Sequence, residues 1–352
     1  MSRNRSSSPR WAAHEGPRWS RRRFLRTASV AAAGTAMLPT LAGAAQSQKA
    51  APTNEKAFIA ISLDLEMARN FPRWEDSHWD YEKGNLTDEV KHYALEAARI
   101  VKANGGRIQF FLVCRALEQE NVDWLKELIR EGHPLGSHTY DHVYLLAKKP
   151  EEIQYRFQRA PWLIEGKTSA QIIAENIQLA TAAMKHRLGI APAGFRAPGG
   201  FAEGLSGRAD IQKILLDAGF TWASTKYPAH PNSEPGGELT PAILDGIVKS
   251  QTAAQPFVYP SGLVEIPMSP ISDIGAFRNG RWNLDQFLKS TQLSVDWAIR
   301  NRAVFDFLGH PAVLSAKDPD FRTIRAICDA VNRSAHQAEM VSLQHIFERT
   351  RA

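Results

Sequence analysis

The sequence predicts an α/β fold, arranged as an incomplete (β/α) barrel of about seven parallel strands. Three observations support this prediction. Short apolar runs alternate with segments of helical periodicity from residue 57 onwards. A predicted helix ends in the glycine-containing turn Asn104-Gly105-Gly106, which is typical of a helix stop. The pattern continues without an internal repeat to the end of the chain, so we expect one domain over residues 57–352.

The strands and helices follow one another in order along this domain. Each predicted strand is a short apolar run, and each predicted helix has apolar residues three and four positions apart. The predicted strands are 57–63, 107–113, 133–137, 194–196, 220–224, 263–266, 304–308 and 339–341. The predicted helices are 86–103, 122–130, 168–188, 211–218, 284–300, 321–331 and 343–350, with Thr168 and Gln171 at capping-box spacing. Residues 143–167 and 227–262 interrupt the alternation, and we expect two long loops there that shape a cleft.

The positive charge of the chain is concentrated at its amino end. The whole sequence has a formal net charge of +6, but residues 1–44 alone contain eight arginines and one acidic residue. The rest of the chain is therefore close to neutral. This distribution argues against a nucleic-acid-binding surface on the folded domain.

The same segment has the features of an export signal. Ser20-Arg21-Arg22-Arg23-Phe24-Leu25-Arg26 resembles a twin-arginine motif, and an alanine-rich apolar stretch and Ala42-Gly43-Ala44 follow it. We expect a twin-arginine signal peptide over residues 1–44, a linker over 45–56, the twin-arginine export machinery as a partner, and a periplasmic or secreted protein. The apolar stretch is short and contains Gly34 and Pro39, so no stable membrane span is expected in the mature chain. An uncleaved anchor is the alternative.

The chain contains two cysteines, Cys114 and Cys328. A large exported protein does not depend on a disulfide framework for its core. Cys114 ends an apolar run and Cys328 lies in a predicted helix. We expect two buried thiols, and a disulfide bridge is the alternative.

Polar residues collect where the predicted strands end. In (β/α) barrels the chemistry lies at the carboxyl ends of the strands, so these residues are expected to share one site. Two carboxylates follow the first strand, two histidines the third, an arginine the fourth, and a histidine the strand over 304–308. The residues are Asp64, Glu66, His138, His142, Arg196 and His310.

His138 and His142 lie four residues apart. On one turn of a helix, both rings face the same way and can chelate one ion. The spacing alone is weak support, because the chain contains 11 histidines and such pairs arise by chance. Two histidines with one carboxylate leave positions open on a divalent ion, which is the arrangement of a catalytic metal site.

In their order along the chain, these groups resemble the motifs of polysaccharide deacetylases with a NodB-homology domain (carbohydrate esterase family 4). His138-Thr139-Tyr140-Asp141-His142 is similar to that family's second motif, Arg196-Ala197-Pro198 to its third, and Leu308-Gly309-His310 to its last. The resemblance covers roughly residues 55–350. It implies a distorted (β/α) barrel and metal-dependent removal of N-acetyl groups from a chitin-like or peptidoglycan glycan, with release of acetate.

Two motifs depart from the family pattern. Asp64-Leu65-Glu66 stands where the family usually has adjacent aspartates, and it looks like the subgroup with certain peptidoglycan deacetylases and cofactor-free allantoinase relatives. Trp222-Ala223-Ser224-Thr225 lies near the place of the fourth motif but lacks its acid. The alternative functions are a hydrolase of a cyclic amide or ureide, and a catalytically inactive carbohydrate-binding relative.

The resemblance also implies a role for each group. Asp64 is expected to act as general base, Arg196 to orient it, and His310 to protonate the departing amine. A backbone N–H near Gly199 is expected to help stabilise the oxyanion. Asp141 either orients a ligand imidazole or starts a helix. The expected ligands of a divalent ion, with zinc as the expected metal, are Glu66, His138 and His142.

Aromatic side chains are frequent in the segment after the first motif and in the loop over 143–167. Aromatic faces stack on sugar rings, so these residues either form a glycan platform or pack the loops onto the barrel. They are Phe71, Trp74, His78, Trp79, Tyr81, Tyr155, Phe157 and Trp162.

Overall fold

The computed structural model describes residues 55–76 and 83–351. The expected export signal, all but the last two residues of the expected linker, and His78, Trp79 and Tyr81 lie outside the described residues. Within the described ranges, the structure contains no helix with the length and apolar character needed to cross a membrane.

The described residues form one curled, mostly parallel sheet with intervening helices, which confirms the predicted α/β fold and is consistent with a distorted (β/α) barrel. The strands pair in the order β6-β7-β5-β4-β3-β2-β1-β8, with β9 beside β1. Among the described strands, only β6 and β7 pair antiparallel. The strands are β1 (Ala57–Leu65), β2 (Ile108–Leu112), β3 (Leu135–Ser137), β4 (Phe195–Phe201), β5 (Trp222–Lys226), β6 (Phe257–Val258), β7 (Val264–Glu265), β8 (Val304–Gly309) and β9 (Ala338–Met340).

Of the nine strands among the described residues, only β6 has no counterpart among the predicted strands, because it is two residues long. The helices are α1 (Asp88–Ala103), α2 (Asp123–Arg130), α3 (Tyr155–Arg159), α4 (Ser169–Leu188), α5 (Ala209–Asp217), α6 (Pro241–Ser250), α7 (Leu284–Asn301), α8 (Pro311–Lys317), α9 (Arg322–Arg333) and α10 (Leu343–Arg351). Thr168 and Gln171 form the capping box of α4 as predicted.

The prediction that residues 227–262 form a loop is wrong, because α6 and β6 lie within them. Thr240 caps α6 by accepting a hydrogen bond from the N–H of Ile243, and Pro241 occupies its first turn. Leu244 and Ile247 are buried. Several prolines precede this helix and its amphipathic segment is short, so the sequence periodicity did not indicate a helix there. Residues 143–167 likewise contain α3 and two single-turn 3₁₀ helices.

Strand β1 is an interior strand near one end of the sheet and is buried along its whole length. It pairs in parallel with both β2 and β8, and both of its faces are covered, which explains its nearly continuous apolar sequence. At the other end of the sheet, the segment after β7 approaches β8. There the N–H of Ser269 donates to the carbonyl of Asp306 over 3.0 Å. The carboxyl ends of β1, β3, β4 and β8 are thereby brought around one space.

Both cysteines are buried free thiols, as predicted. Cys114 follows β2, and Cys328 lies in α9. Burial raises the pKa of both thiols above the ordinary range, so neither is an activated nucleophile.

The segment after β3 is a loop, so the prediction that His138 and His142 share a helical turn is wrong. Thr139 and His142 have φ angles of 61° and 60°, which fold the chain back on itself within four residues. The N–H of Val143 donates to the Thr139 hydroxyl over 3.0 Å and closes the loop. A compact loop thus brings the two rings together, where the sequence suggested a helix.

Asn176 on α4 holds this loop from behind. Its side-chain oxygen accepts hydrogen bonds from the N–H groups of Tyr140 (2.9 Å) and Asp141 (3.0 Å). Its amide donates to the Asp141 carboxylate over 2.9 Å, and that carboxylate also pairs with Arg115 and Arg156. Asp141 therefore anchors the loop to its surroundings, and neither role considered for it from the sequence is observed among its described contacts.

We predict that Asn176→Ala lowers the free energy of unfolding by about 2 kcal/mol, because it leaves two backbone N–H groups without their acceptor. Gln178→Ala, at an exposed position on the same helix, is the control and should change stability by less than about 0.5 kcal/mol. Urea unfolding of both variants measures the difference. Equal midpoints for the two variants would show that the loop does not depend on Asn176.

Candidate active site

The carboxyl end of the sheet carries a cluster of buried ionisable side chains. Asp64 is the penultimate residue of β1, and Glu66 directly follows the strand; both are buried. His138 comes from the loop after β3, and its Nε2 lies 3.8 Å from Asp64 Oδ2 and 3.5 Å from Glu66 Oε2. His310, directly after β8, places its Nε2 3.9 Å from Asp64 Oδ2. Asp64 and His310, which are 246 positions apart in the sequence, therefore lie close together in the structure.

Three of these side chains direct one donor atom each toward a common point. The candidate ligand atoms of Glu66, His138 and His142 all lie within 4.8 Å of one another. His142 Nε2 is 2.8 Å from Glu66 Oε2. One carboxylate oxygen with two imidazole nitrogens is a donor set that suits zinc and other divalent transition ions.

The protonation states of the cluster suit a cation. Burial opposes ionisation of Glu66, but His142 and Lys83 outweigh it and hold the pKa of Glu66 well below its usual value. Burial lowers the pKa of His142 to about 4, against the opposing effect of Glu66. At neutral pH the carboxylate is charged and the imidazole of His142 is neutral, which is the form in which each binds metal.

The backbone of β4 orients His138. Its Nδ1 lies 3.0 Å from the carbonyl oxygen of Arg196. Since a carbonyl only accepts, Nδ1 carries the proton and donates it. The lone pair of Nε2 then faces Asp64 and Glu66, which is the orientation that a ligand imidazole needs.

Asp273, which the sequence analysis did not single out, fixes His310. Its Oδ1 lies 2.8 Å from His310 Nδ1, and its Oδ2 accepts from the His310 backbone N–H over 2.6 Å. Burial alone would lower the pKa of His310, but Asp273 outweighs it and raises the pKa above the ordinary value. Asp273 lies 37 residues before His310, in a segment with no strand or helix signal, so only the three-dimensional structure reveals the pair.

Arg196 is completely buried behind Asp64. Its Nη2 donates to Ser62 Oγ (2.7 Å) and Asp306 Oδ2 (2.8 Å), while its Nη1 lies 3.5 Å from Asp64 Oδ1. The predicted contact between Arg196 and Asp64 is therefore an ion pair, and the direct hydrogen bonds go to Ser62 and Asp306. Asp306 was not singled out from the sequence, because it lies inside the apolar run of β8.

Lys83 is a further buried member of the cluster, and it forms an ion pair with Glu66 Oε1. It is 4% exposed. Its burial could not be predicted from the sequence, because a single lysine in a polar, aromatic segment gives no signal of burial.

These groups face a cavity of about 300 Å³. Its wall includes Gly199, whose φ is 88° and beside which a Cβ would meet no atom within 4 Å, so substrate can approach the backbone there. The lining also includes polar side chains that were not selected from the sequence. These are Tyr227, His230, Asn232, Ser272, Arg278 and Asn279.

The aromatic residues considered as a glycan platform divide into two groups. Phe71 and Phe157 are buried and pack their loops onto the domain. Trp74 and Trp162 are 48% and 69% exposed, and Tyr155 is also exposed. Trp222 is buried against Phe111 and donates to Gln344, so it belongs to the core.

Residues 82–222 match the family model described as polysaccharide deacetylase. This region contains His138, His142 and Arg196, while Asp64, Glu66 and His310 lie outside it. A search of curated protein sequences gave no match.

Solved structures with similar folds extend over most of the chain. A Mycobacterium smegmatis protein assigned as a polysaccharide deacetylase is 16% identical, with a TM-score of 0.55 over 86% of this chain and 93% of that chain. A probable polysaccharide deacetylase from Pseudomonas aeruginosa PAO1 is 14% identical, with a TM-score of 0.54 over 83% and 90%. Puue allantoinase is 14% identical, with a TM-score of 0.56 over 86% and 94%. At these identities the structural likenesses establish the fold alone.

The family match over residues 82–222 confirms the resemblance that the motifs predict: this part of the chain is similar to the polysaccharide deacetylases, a family of hydrolases that act on carbon–nitrogen bonds.

Proposed function

We propose that this protein hydrolyses N-acetyl groups of an amino-sugar polysaccharide, chitin-like or peptidoglycan glycan, with a divalent metal ion bound by Glu66, His138 and His142. The observation that supports this most directly is the convergence of three ligand atoms beside Asp64 and His310 in one cavity. The products are acetate and a free amino sugar. The twin-arginine motif supports export, so we further propose that the enzyme acts in the periplasm or outside the cell.

The donor set fits zinc because it combines two imidazoles with one ionised carboxylate and leaves one side open to the cavity. When bound, such an ion supplies positive charge that polarises the acetamide carbonyl. Three protein ligands with an open position are the usual arrangement of a catalytic zinc site.

Asp64 is the general base in this proposal. Its Oδ2 faces the histidines, and its Oδ1 lies 3.5 Å from Arg196 Nη1, which places the positive charge of the guanidinium beside the carboxylate. Asp64 takes a proton from the water that attacks the acetamide carbon. The open backbone beside Gly199 provides space for an N–H group to approach the developing oxyanion.

His310 is the general acid. Its Nε2 lies 3.9 Å from Asp64 Oδ2, and Asp273 both orients its ring and favours its protonated form. The proton on Nε2 is therefore available for the nitrogen of the departing amine. Base and acid both line the same cavity, with His310 Nε2 3.9 Å from Asp64 Oδ2, so both can reach one bound acetamide group.

A cyclic amide or ureide hydrolase remains the second candidate, because a cavity of about 300 Å³ suits a small ring as well as one sugar residue. We predict that the purified protein releases acetate from acetylated chitin or peptidoglycan fragments, that a chelator abolishes this release, and that zinc restores it. Acetate assays and ureide consumption assays on one preparation test both candidates. Activity on the ureide alone, unchanged by chelator, would contradict the proposal.

We predict that Asp64→Asn lowers kcat by roughly 10²-fold or more, because the amide cannot accept the water proton. The zinc content should remain that of the unaltered protein, since Asp64 is not one of the three ligands. Asp88→Asn, at an exposed site in the first turn of α1, is the control and should retain full activity. An active Asp64→Asn variant would show that another group is the base.

We predict that Asp273→Asn moves the alkaline limb of the pH profile of kcat/KM downward by about one unit. The sign follows from His310, whose protonated form is the active acid and whose pKa Asp273 raises. Loss of that carboxylate lets His310 lose its proton at lower pH. Asp296→Asn, an exposed site on α7, is the control, and an unshifted limb in Asp273→Asn would exclude His310 as the acid.

A further inference from the structure

Lys83 forms an ion pair with one oxygen of Glu66, the carboxylate ligand of the proposed metal site. Its Nζ pairs with Glu66 Oε1, while Glu66 Oε2 faces the histidines at 2.8 Å from His142 and 3.5 Å from His138. Lys83 also lines the cavity. One carboxylate is thus contacted by a resident cation on one side and by the ligand imidazoles on the other.

The backbone fixes Lys83 in this position. The N–H of Met67 donates to the Lys83 carbonyl over 2.9 Å and so ties the lysine to the residue after Glu66. The next residue, Gly84, packs so closely that a Cβ there would lie 2.7 Å from the backbone nitrogen of Ala116. Lys83 therefore differs from a mobile surface lysine, because the segment that carries it is held on two sides.

A buried lysine and a divalent ion on the same carboxylate repel each other. The electrostatic attraction between Glu66 and a metal ion depends on the net charge of the surroundings, and the ammonium of Lys83 compensates the single negative charge of that ligand. Lys83 and Glu66 are both buried, so solvent screens the interactions of their charges only weakly.

We propose that Lys83 and the divalent ion compete for Glu66, so that Lys83 sets the metal affinity of the site. This inference rests on the metal site of the proposed function. Lys83 pairs with Glu66 Oε1, and its positive charge weakens the attraction of the whole carboxylate, Oε2 included, for the ion. The site then depends chiefly on its two histidines for affinity, which favours zinc over oxygen-preferring ions such as magnesium.

Zinc titration against a chromophoric chelator tests the competition. Lys83→Met and Lys83→Gln remove the charge and should bind zinc about tenfold tighter or more, whereas Lys83→Arg keeps the charge and should bind like the unaltered protein. Lys126→Met, at an exposed lysine of α2, is the control and should leave zinc affinity unchanged. Unchanged or weaker binding by both neutral variants, with binding by the unaltered protein intact, would overturn the competition.

A second measurement uses the unaltered protein and does not depend on the folding of a variant. Zinc binding should weaken the ion pair between Lys83 and Glu66 and so increase the labelling of Lys83 by a small amine-reactive reagent, while the labelling of Lys126 stays constant. Peptide mass spectrometry measures the labelling. Equal labelling of Lys83 with and without bound zinc would overturn the inference. Failure of the unaltered protein and of every variant to bind zinc would instead overturn the proposed metal site.

Discussion

The buried guanidinium of Arg196 is the interaction on which the rest of the site depends. Its side chain joins β4 to β1 through Ser62 and to β8 through Asp306, and its plane lies over the ring of Phe111 on β2 at 4.5 Å. Its own carbonyl fixes the ring of His138. A buried charge without partners is strongly unfavourable, so these strands are constrained to hold their registers around it.

The carboxylates in and around the cavity have different electrostatic environments. Asp306 is fully buried, and burial raises its pKa to about 6 despite Arg196. Glu66, with Lys83 and His142 beside it, has a pKa held well below the usual range. Asp273 is committed to His310 through two hydrogen bonds. Each acid therefore has a separate role, because its own cation or hydrogen-bond donor determines its state.

Sequence reasoning could predict the fold because its signals are local. Apolar runs such as β1 and the capping box of α4 are readable from neighbouring residues, and parallel topology then places the strand ends together. Thus Asp64, His138 and His310 could be assigned to one site before any coordinate was known.

The supporting residues could not be predicted in the same way. Asp273 and Lys83 lie in segments without periodicity, and their significance comes from contacts across 37 and 17 residues of sequence. The loop after β3 also escaped prediction, since positive φ at Thr139 and His142 is stabilised by distant Asn176 and by Val143. Tertiary contacts override local preference at such positions.

The small size of the cavity bears on where a polymeric substrate could contact the protein. A volume of about 300 Å³ lies at the small end of ligand pockets, which is small for a chain of several sugar units. Under the proposed function, contacts to further sugar units would therefore lie outside it. The exposed ring of Trp74, with the Arg281 guanidinium 5.1 Å from its centre, is a surface of the kind that sugars stack on. Trp74 follows Glu66 by eight residues within the described range 55–76, so a sugar stacked on this ring would lie on the same stretch of chain as the proposed metal ligand.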